Sequence, residues 1–420
     1  MIKTIELQPG IILRCCTDTR FKMNCLSLQL VRPMCREEAS ANALISAVLL
    51  RGTEKHPDIR NITLHLDDMY GATVGSLVRR VGDYQTTGFY CGFTEDRYAM
   101  GGDAILEPMM AFVRELLLMP RLENGVFLSS FVEGEKRNML SAIEAQKNDK
   151  RIYAAGQLMK YMCAKDPTGI PRLGEKDQVQ ALESKGLYDH YQRILRESRI
   201  ELFYVGAQSP ERVAELTAPL FQGIERNYVN LPEQTPFCDG GDTRHEEIMD
   251  VTQGKLQMGF VGSSTLNTPD FVPMQVFNFV FGSGMTSKLF MNVREKMSLC
   301  YDIGSSYIGG KGILTVGAGM DCSKSGIVEK EILCQLEKCR QGEITAQELE
   351  SARQSLLSSL RSIHDSPSSI ENYYATGALS GLKLTIPQYM EQVQQVTVEQ
   401  VARMAQSIRL HSVFLLKGVQ

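Results

Sequence analysis

Apolar positions recur at the helical spacing of three to four residues in some stretches of the chain and alternate at the strand spacing of two in others. Residues 41–55, ANALISAVLLRGTEK, form an apolar helical run that ends at Arg51-Gly52-Thr53. Cys15 and Cys16 sit in an apparent strand, which sends neighbouring side chains to opposite faces. Read end to end, the pattern predicts strand, helix, helix, strands, helix, helix, helix, strand, and then the same order again. That succession suits helices layered on a mostly antiparallel sheet, an α+β fold built twice.

Three pairs of segments carry the duplication in one order. EGEKRNMLSAIEAQKNDKRIYAAGQL (133–158) and ESARQSLLSSLRSIHDSPSSIENYYATGAL (350–379) are each an amphipathic helix, a polar break and a second helix opening on Tyr-Ala-x-Gly-x-Leu. Upstream, DDMYGATVGS (67–76) and SLCYDIGSSY (298–307) place Tyr and Gly where a helix gives way to a strand, and a glycine-bearing strand follows each, QTTGFYCGF (85–93) and GILTVGAGM (312–320). Downstream, 186–206 and 396–418 are each a helix, a short break and a Val/Leu/Phe strand closing on Gly. Residues 230–247, NLPEQTPFCDGGDTRHEE, lack any period and read as an exposed linker between homologous domains at 1–229 and 248–420. Thr345 and Glu348 have capping-box spacing at the start of a helix that Pro367 is placed to stop.

Composition narrows the class. The 420 residues are 43% hydrophobic and 22% charged, with a formal net charge of −4, so there is no broad basic field to draw nucleic acid or an acidic membrane. No apolar run is long enough to span a bilayer, and the N-terminus lacks a secretory h-region, so a cytoplasmic protein is expected. Eleven cysteines, an odd number without Cys-x-x-C spacing, read as reduced thiols. The 20 methionines read as core filler, and the Arg-His-Glu-Glu cluster at 244–247 as solvated linker charge. His190 has no neighbour in sequence that completes a nucleophilic triad.

Residues 282–307, GSGMTSKLFMNVREKMSLCYDIGSSY, resemble the second-domain signature of the M16 peptidases, the family of pitrilysin, insulinase and mitochondrial processing peptidase. In that pattern a small-residue loop leads into Ser-Arg/Lys-Leu-Phe, then Arg-Glu-Lys, then Leu-x-Tyr. Active members carry His-x-x-Glu-His on a first-domain helix ending in a Gly-Thr segment, with a distant Glu as third ligand. Two His one helical turn apart bind Zn²⁺ from one face while the Glu activates the bound water. Anchored on Gly52-Thr53, those places fall on Ala43, Ser46 and Ala47, and neither His56 nor His65 has a Glu-His partner one turn away. The third-ligand place falls at Ala142 or Glu144, between which the sequence leaves the register open. The resemblance thus implies a zinc helix converted to packing, its Ala and Ser facing the former cleft, with no cofactor in this chain.

Small two-domain members of the family work as clamshell dimers in which a second domain turns an Arg and a Tyr, one to two helical turns apart, toward the substrate; here these match Arg294 and Tyr301. A guanidinium donating two hydrogen bonds and a phenol donating one are suited to a scissile carbonyl and its oxyanion. The glycine-bearing loop 281–288 reads equally as a flexible lip near the cleft or as a plain turn, and 72–80 is one extended segment that could supply an edge for an added peptide strand, the sequence leaving open which edge is free. The implied function is a subunit inactive alone, paired in a heterodimer with an active His-x-x-Glu-His peptidase that holds the zinc, on unfolded peptide substrates. A bacterial branch of the family pairs subunits in this way. The alternative is a non-enzymatic structural or peptide-binding scaffold with Arg294 and Tyr301 merely inherited.

Overall fold

A computed structural model describes residues 2–238, 241 and 243–418; Met1, Asp239, Gly240, Asp242, Val419 and Gln420, which fall in the expected domains and linker, lie outside the described residues. In chain order the strands are β1 (Ile2–Gln8), β2 (Ile11–Thr17), β3 (Met23–Pro33), β4 (Thr73–Val81), β5 (Tyr84–Thr94), the short pair β6 (Leu122–Glu123) and β7 (Val126–Phe127), β8 (Arg199–Gly206), β9 (Thr243–Met249), β10 (Gly254–Val261), β11 (Asp302–Ile308), β12 (Ile313–Met320) and β13 (Arg409–Gly418). The helices are α1 (Arg36–Leu49), α2 (Ile59–Asp68), α3 (Leu106–Leu118), α4 (Ser129–Ala145), α5 (Lys150–Met162), α6 (Lys176–Ala181), α7 (Ser184–Glu197), α8 (Pro210–Thr217), α9 (Phe271–Phe281), α10 (Ser325–Arg340), α11 (Ala346–Ser362), α12 (Pro367–Ser380), α13 (Ile386–Gln395) and α14 (Val398–Ser407).

The chain folds into two compact units. The first holds a six-stranded sheet in the order β1-β2-β8-β3-β5-β4, the second a five-stranded sheet in the order β11-β12-β10-β13-β9. Each sheet is antiparallel except for one pair, β2 with β8 in the first and β9 with β13 in the second. Matching β4-β5-β3-β8-β2 to β11-β12-β10-β13-β9 superimposes the two orders strand for strand, which is the expected α+β duplication with β1 added. β3 lies between β8 and β5, so both of its edges are paired, and its buried residues include Asn24, Ser27 and Gln29 as well as leucines. Cys15 on β2 is buried and Cys16 half-buried, as strand alternation requires.

Local chemistry sets the helix starts. Thr345 with Glu348, Thr385 with Gln388 and Thr397 with Gln400 close three capping boxes, each satisfying otherwise orphaned N–H groups at the helix start. Pro367 occupies the first turn of α12, where its missing N–H costs nothing, and α11 ends before it at Ser362.

Two findings depart from the sequence reading. Residues 243–247, expected as linker, open β9 and pair in parallel with β13. Their charges had disguised a strand: Arg244 pairs with Glu329, Lys417 with Glu246 at 2.6 Å, Tyr153 donates to Glu247 at 2.8 Å, and His245 stacks on Tyr161. The units also cross the sequence halves. Residues 144–169, with α5, belong to the second unit, and residues 364–376 to the first. Ala154 and Leu158 of α5 pack with Phe414 and Leu416 of β13, and Gly259 on β10 leaves room for the Met162 sulfur, 2.5 Å from where a Cβ would stand. The apolar stripe of α5 thus finds its cover in the second sheet.

Candidate functional site

The helix α1 carries the three positions of the degenerate zinc motif, and it is a core element. Ala43 is 2% and Ser46 1% exposed, and only Ala47 is half-buried. This corrects the expectation that Ala and Ser face an open cleft: Ala43 is buried in the first unit's core along with Leu44, Val48 and Leu49. Ser46 is held by hydroxyls from the sheet beneath it. Its Oγ lies 2.7 Å from Ser76 Oγ on β4 and accepts from Thr87 Oγ1 on β5 at 3.2 Å.

The residues at these places do not fit a zinc ion. Two methyl groups offer no donor, and the one hydroxyl is already engaged. Ala142 and Glu144, between which the third-ligand register was open, are both exposed on α4, and Glu144 sits 3.6 Å from the Lys147 ammonium. The boundary between units falls between them, so Glu144 belongs to the unit that does not contain α1. His56 is taken by the buried Glu115 at 2.7 Å and stacks on His65, with ring centroids 4.4 Å apart. Among the described residues no group of three or more His, Cys, Asp or Glu stands where it could hold a metal.

In the second unit the stretch with the family signature is built to present side chains. After α9 the backbone turns through Gly282 and Gly284, the latter at φ +141°, and Met285 stands 76% exposed at the tip. Ser287 accepts from the Phe290 N–H at 3.3 Å and so begins a π-helical segment, Leu289–Lys296. A wide turn of this kind needs support for its extra carbonyls. Asn292 supplies it by donating to Lys288 O at 2.9 Å and to Gln335 Oε1 on α10 at 3.0 Å.

Lys288 anchors the start of that segment. Its ammonium, 7% exposed, donates to Glu348 Oε1 at 2.8 Å, tying the segment to the capping box of α11. Burial alone would raise the Glu348 carboxyl, but Lys288 and the Thr345 N–H and hydroxyl more than offset it and hold it below the usual range. The sequence had treated Lys288 only as a motif position; its signal was the Glu of a capping box with two possible partners.

Arg294 and Tyr301 occupy the far end of the same segment. The Arg294 guanidinium lies 4.6 Å from the Phe290 ring centroid and 3.7 Å from Glu295, with 41% of the side chain exposed. The helix ends at Lys296, so Tyr301 is not a turn or two along it. The chain reverses through Ser298 at φ +49°, Leu299 N–H donates back to Val293 O at 3.0 Å, and Tyr301 N–H reaches Gly319 O at 2.7 Å at the start of β11. Tyr301 is 60% exposed, and among the described residues its hydroxyl has no partner. A non-glycine residue at positive φ costs about 1–2 kcal/mol, and here that strain makes the turn between the segment that carries Arg294 and the strand that Tyr301 precedes.

Residues 182–356 match the model of the peptidase M16 inactive domain. Over these residues, less than half of its length, the chain is similar to the M16 peptidase family. It is 28% identical over 404 residues to the probable inactive metalloprotease YmfF of Bacillus subtilis (strain 168), covering 96% of this chain and 94% of that protein. Among solved structures it is similar in fold to a conserved protein from Enterococcus faecalis V583, with TM-score 0.91 and 23% identity over 100% of this chain and 99% of that one. The peptidase M16 inactive domain from Pseudomonas fluorescens superimposes with TM-score 0.81 at 18% identity, over 100% and 98% of the two chains. Among the described residues no helix is long and apolar enough to cross a membrane.

Proposed function

We propose that this chain is the substrate-handling subunit of a cytoplasmic heterodimeric peptidase whose other subunit carries His-x-x-Glu-His and the zinc. The observation that carries the reading is a contrast within one chain. The positions that would bind metal are filled with Ala43, Ser46 and Ala47, while Arg294 and Tyr301 keep exposed donors on a segment braced by Lys288 and Asn292. An exposed guanidinium and an exposed phenol are suited to a molecule that arrives with acceptors. The backbone of an unfolded peptide is such a molecule: two N–H groups of Arg294 and the Tyr301 hydroxyl would hold one carbonyl and gain strength as it becomes an oxyanion. The open edge of β4 supports the same reading, since an extended peptide can add to it as a further strand.

The test is reconstitution. This chain should show no peptidase activity alone, and with a His-x-x-Glu-His subunit it should form a complex by mass that cleaves unfolded peptide. Arg294→Ala should then lower kcat/KM by about tenfold to a thousandfold, with the fall mainly in kcat. Unchanged kinetics in that variant would remove the carbonyl role; a complex no more active than the partner by itself would leave a scaffold.

A further inference from the structure

The edge of β4 is only half open. Val78 turns its carbonyl outward, where Arg172 NH1 donates to it at 2.7 Å. By strand alternation Val74 and Ser76 turn their carbonyls the same way, and among the described residues no side chain caps these. Arg172 belongs to residues 170–174, a turn between the second unit's α5 segment and α6 that lies against the first unit's β4 and α1. It is docked at several points. Arg80 NH1 donates to Ile170 O at 3.2 Å, and Ile170 is buried with Met34 and Ala39. Gly174, at φ +75°, packs so closely on α1 that a Cβ would stand 1.9 Å from Ser40 Oγ, so this approach admits only glycine.

The remaining fastening runs through the interior. Gln85 Nε2 on β5, 1% exposed, donates to Arg172 O and to Ala39 O, each at 2.9 Å. Gln85 Oε1 accepts from Asn42 Nδ2 at 3.0 Å, and Asn42 Oδ1 lies 2.7 Å from His190 Nε2 on α7. Arg193 donates to the other ring nitrogen at 2.8 Å, so the imidazole is neutral with its proton on Nε2, pointing into Asn42. Each group has one role left in this series. With Asn42 Oδ1 occupied by His190, its amide N–H faces Gln85, which fixes the Gln85 amide so that its N–H groups, not its oxygen, meet the carbonyls of Ala39 and Arg172.

We propose that residues 170–174 are a strap that shuts the back half of the β4 edge, and that His190, Asn42 and Gln85 are the latch that holds it down. His190 and Asn42 touch neither the strap nor β4; they are positioning residues that act through Gln85. Opening frees the backbone of Val78, so the run of outward groups available to an added strand grows from Val74–Ser76 to Val74–Val78. The strap thereby sets how long a stretch of extended peptide this edge can take. Its value as a regulator rests on the reading of β4 as a peptide-binding edge, but the latch itself does not.

The strap contains its own reporter, because trypsin cuts after Arg172 only when the backbone around it is free to extend into a protease site. In the full chain alone, the rate of cleavage at Arg172-Leu173 is measured against cleavage after Lys185, on α7 of the same unit. Loss of one buried hydrogen bond should speed the first cut roughly fivefold in His190→Phe, and loss of all three Gln85 bonds, including the direct one to Arg172 O, roughly tenfold or more in Gln85→Leu, with the Lys185 rate unchanged. His190→Gln, whose amide can still donate to Asn42, should stay near the wild-type rate. Unchanged cleavage at Arg172 in His190→Phe and Gln85→Leu would overturn the latch, as would equal acceleration at both sites, which marks general loosening of the unit. No partner or peptide enters this assay, so its failure is separate from failure of the reconstitution.

Discussion

Glu371 offers the sharpest test of how the first unit keeps a segment borrowed from the far half of the chain. Its carboxylate is 0% exposed and accepts from Arg79 NH1 at 2.8 Å and NH2 at 2.7 Å, from Ser27 Oγ at 2.6 Å and from Gln29 Nε2 at 3.4 Å. The pair joins α12 to β4. Arg79→Met removes both charged donors and leaves a buried carboxylate with two neutral partners; breaking one side of such a pair costs about 3–5 kcal/mol. Glu371→Leu should cost as much, since it strands the guanidinium at 18% exposure along with the Ser27 and Gln29 donors. The double variant removes both desolvation costs together and should lose less than about 2 kcal/mol, giving a coupling of several kcal/mol toward the wild-type pair. Urea denaturation gives the stabilities, and hydrogen exchange over residues 367–376 shows whether the loss is local undocking of that segment or unfolding of the whole unit. The argument fails if Arg79→Met costs under about 1 kcal/mol, or if the two single losses sum to that of the double variant.

Burial, with Arg193 and Arg32 against Glu38 and Glu197, pushes the His190 imidazole down to about 4, from an ordinary value of 6.5. The unfolded chain therefore takes up this proton below about pH 6.5 while the folded one does not, and the chain should lose about 3 kcal/mol of stability between pH 6.5 and 4. In His190→Gln that part of the slope should vanish from the pH series of urea midpoints; an identical slope would assign the loss to carboxylates. Lys311, 0% exposed and bonded to Asp166 at 2.9 Å and Thr235 O at 2.8 Å, should not tolerate Lys311→Met, with a loss of about 3–5 kcal/mol in the second unit's thermal transition. Rebuilding the motif as Ala43→His, Ser46→Glu and Ala47→His should destabilise the first unit by more than about 3 kcal/mol without creating stoichiometric zinc binding, because position 43 is core; a stable, zinc-loaded variant by metal analysis would refute the packing of α1.

Much of this was legible in the sequence, for reasons that differ by element. The duplication was readable because both halves repeat one succession of periods, and the Thr345 capping box because its two residues lie three apart and bond each other's backbone N–H. Local signals of that kind survive in a string of letters. What was hidden depends on partners far away in the chain. The polar face of β9 reads as a linker because its charges meet Glu329, Lys417, Tyr153 and Tyr161 rather than one another. The exchange of α5 and of residues 364–376 is invisible because an amphipathic helix does not say which sheet will cover it. For the candidate site, Arg294 and Tyr301 could be found by motif, but the π-helical turn and the reversal at Ser298 that separate them could not, since Asn292 and Ser298 have ordinary propensities.

The conversion of α1 then has a consequence for the whole first unit. A catalytic helix must leave its polar face uncovered for substrate, and such a face contributes nothing to the core. Here Asn42 reaches Gln85 and His190, and Ser46 reaches Ser76 and Thr87, so the polar groups of α1 now bind β4 and β5 from beneath. Stiffening β4 in this way favours strand addition, because an edge already ordered loses less entropy when a peptide joins it. Under the proposed role, the β4 edge and the exposed donors of Arg294 and Tyr301 would each meet main-chain groups of an extended peptide, and neither would demand a particular side chain.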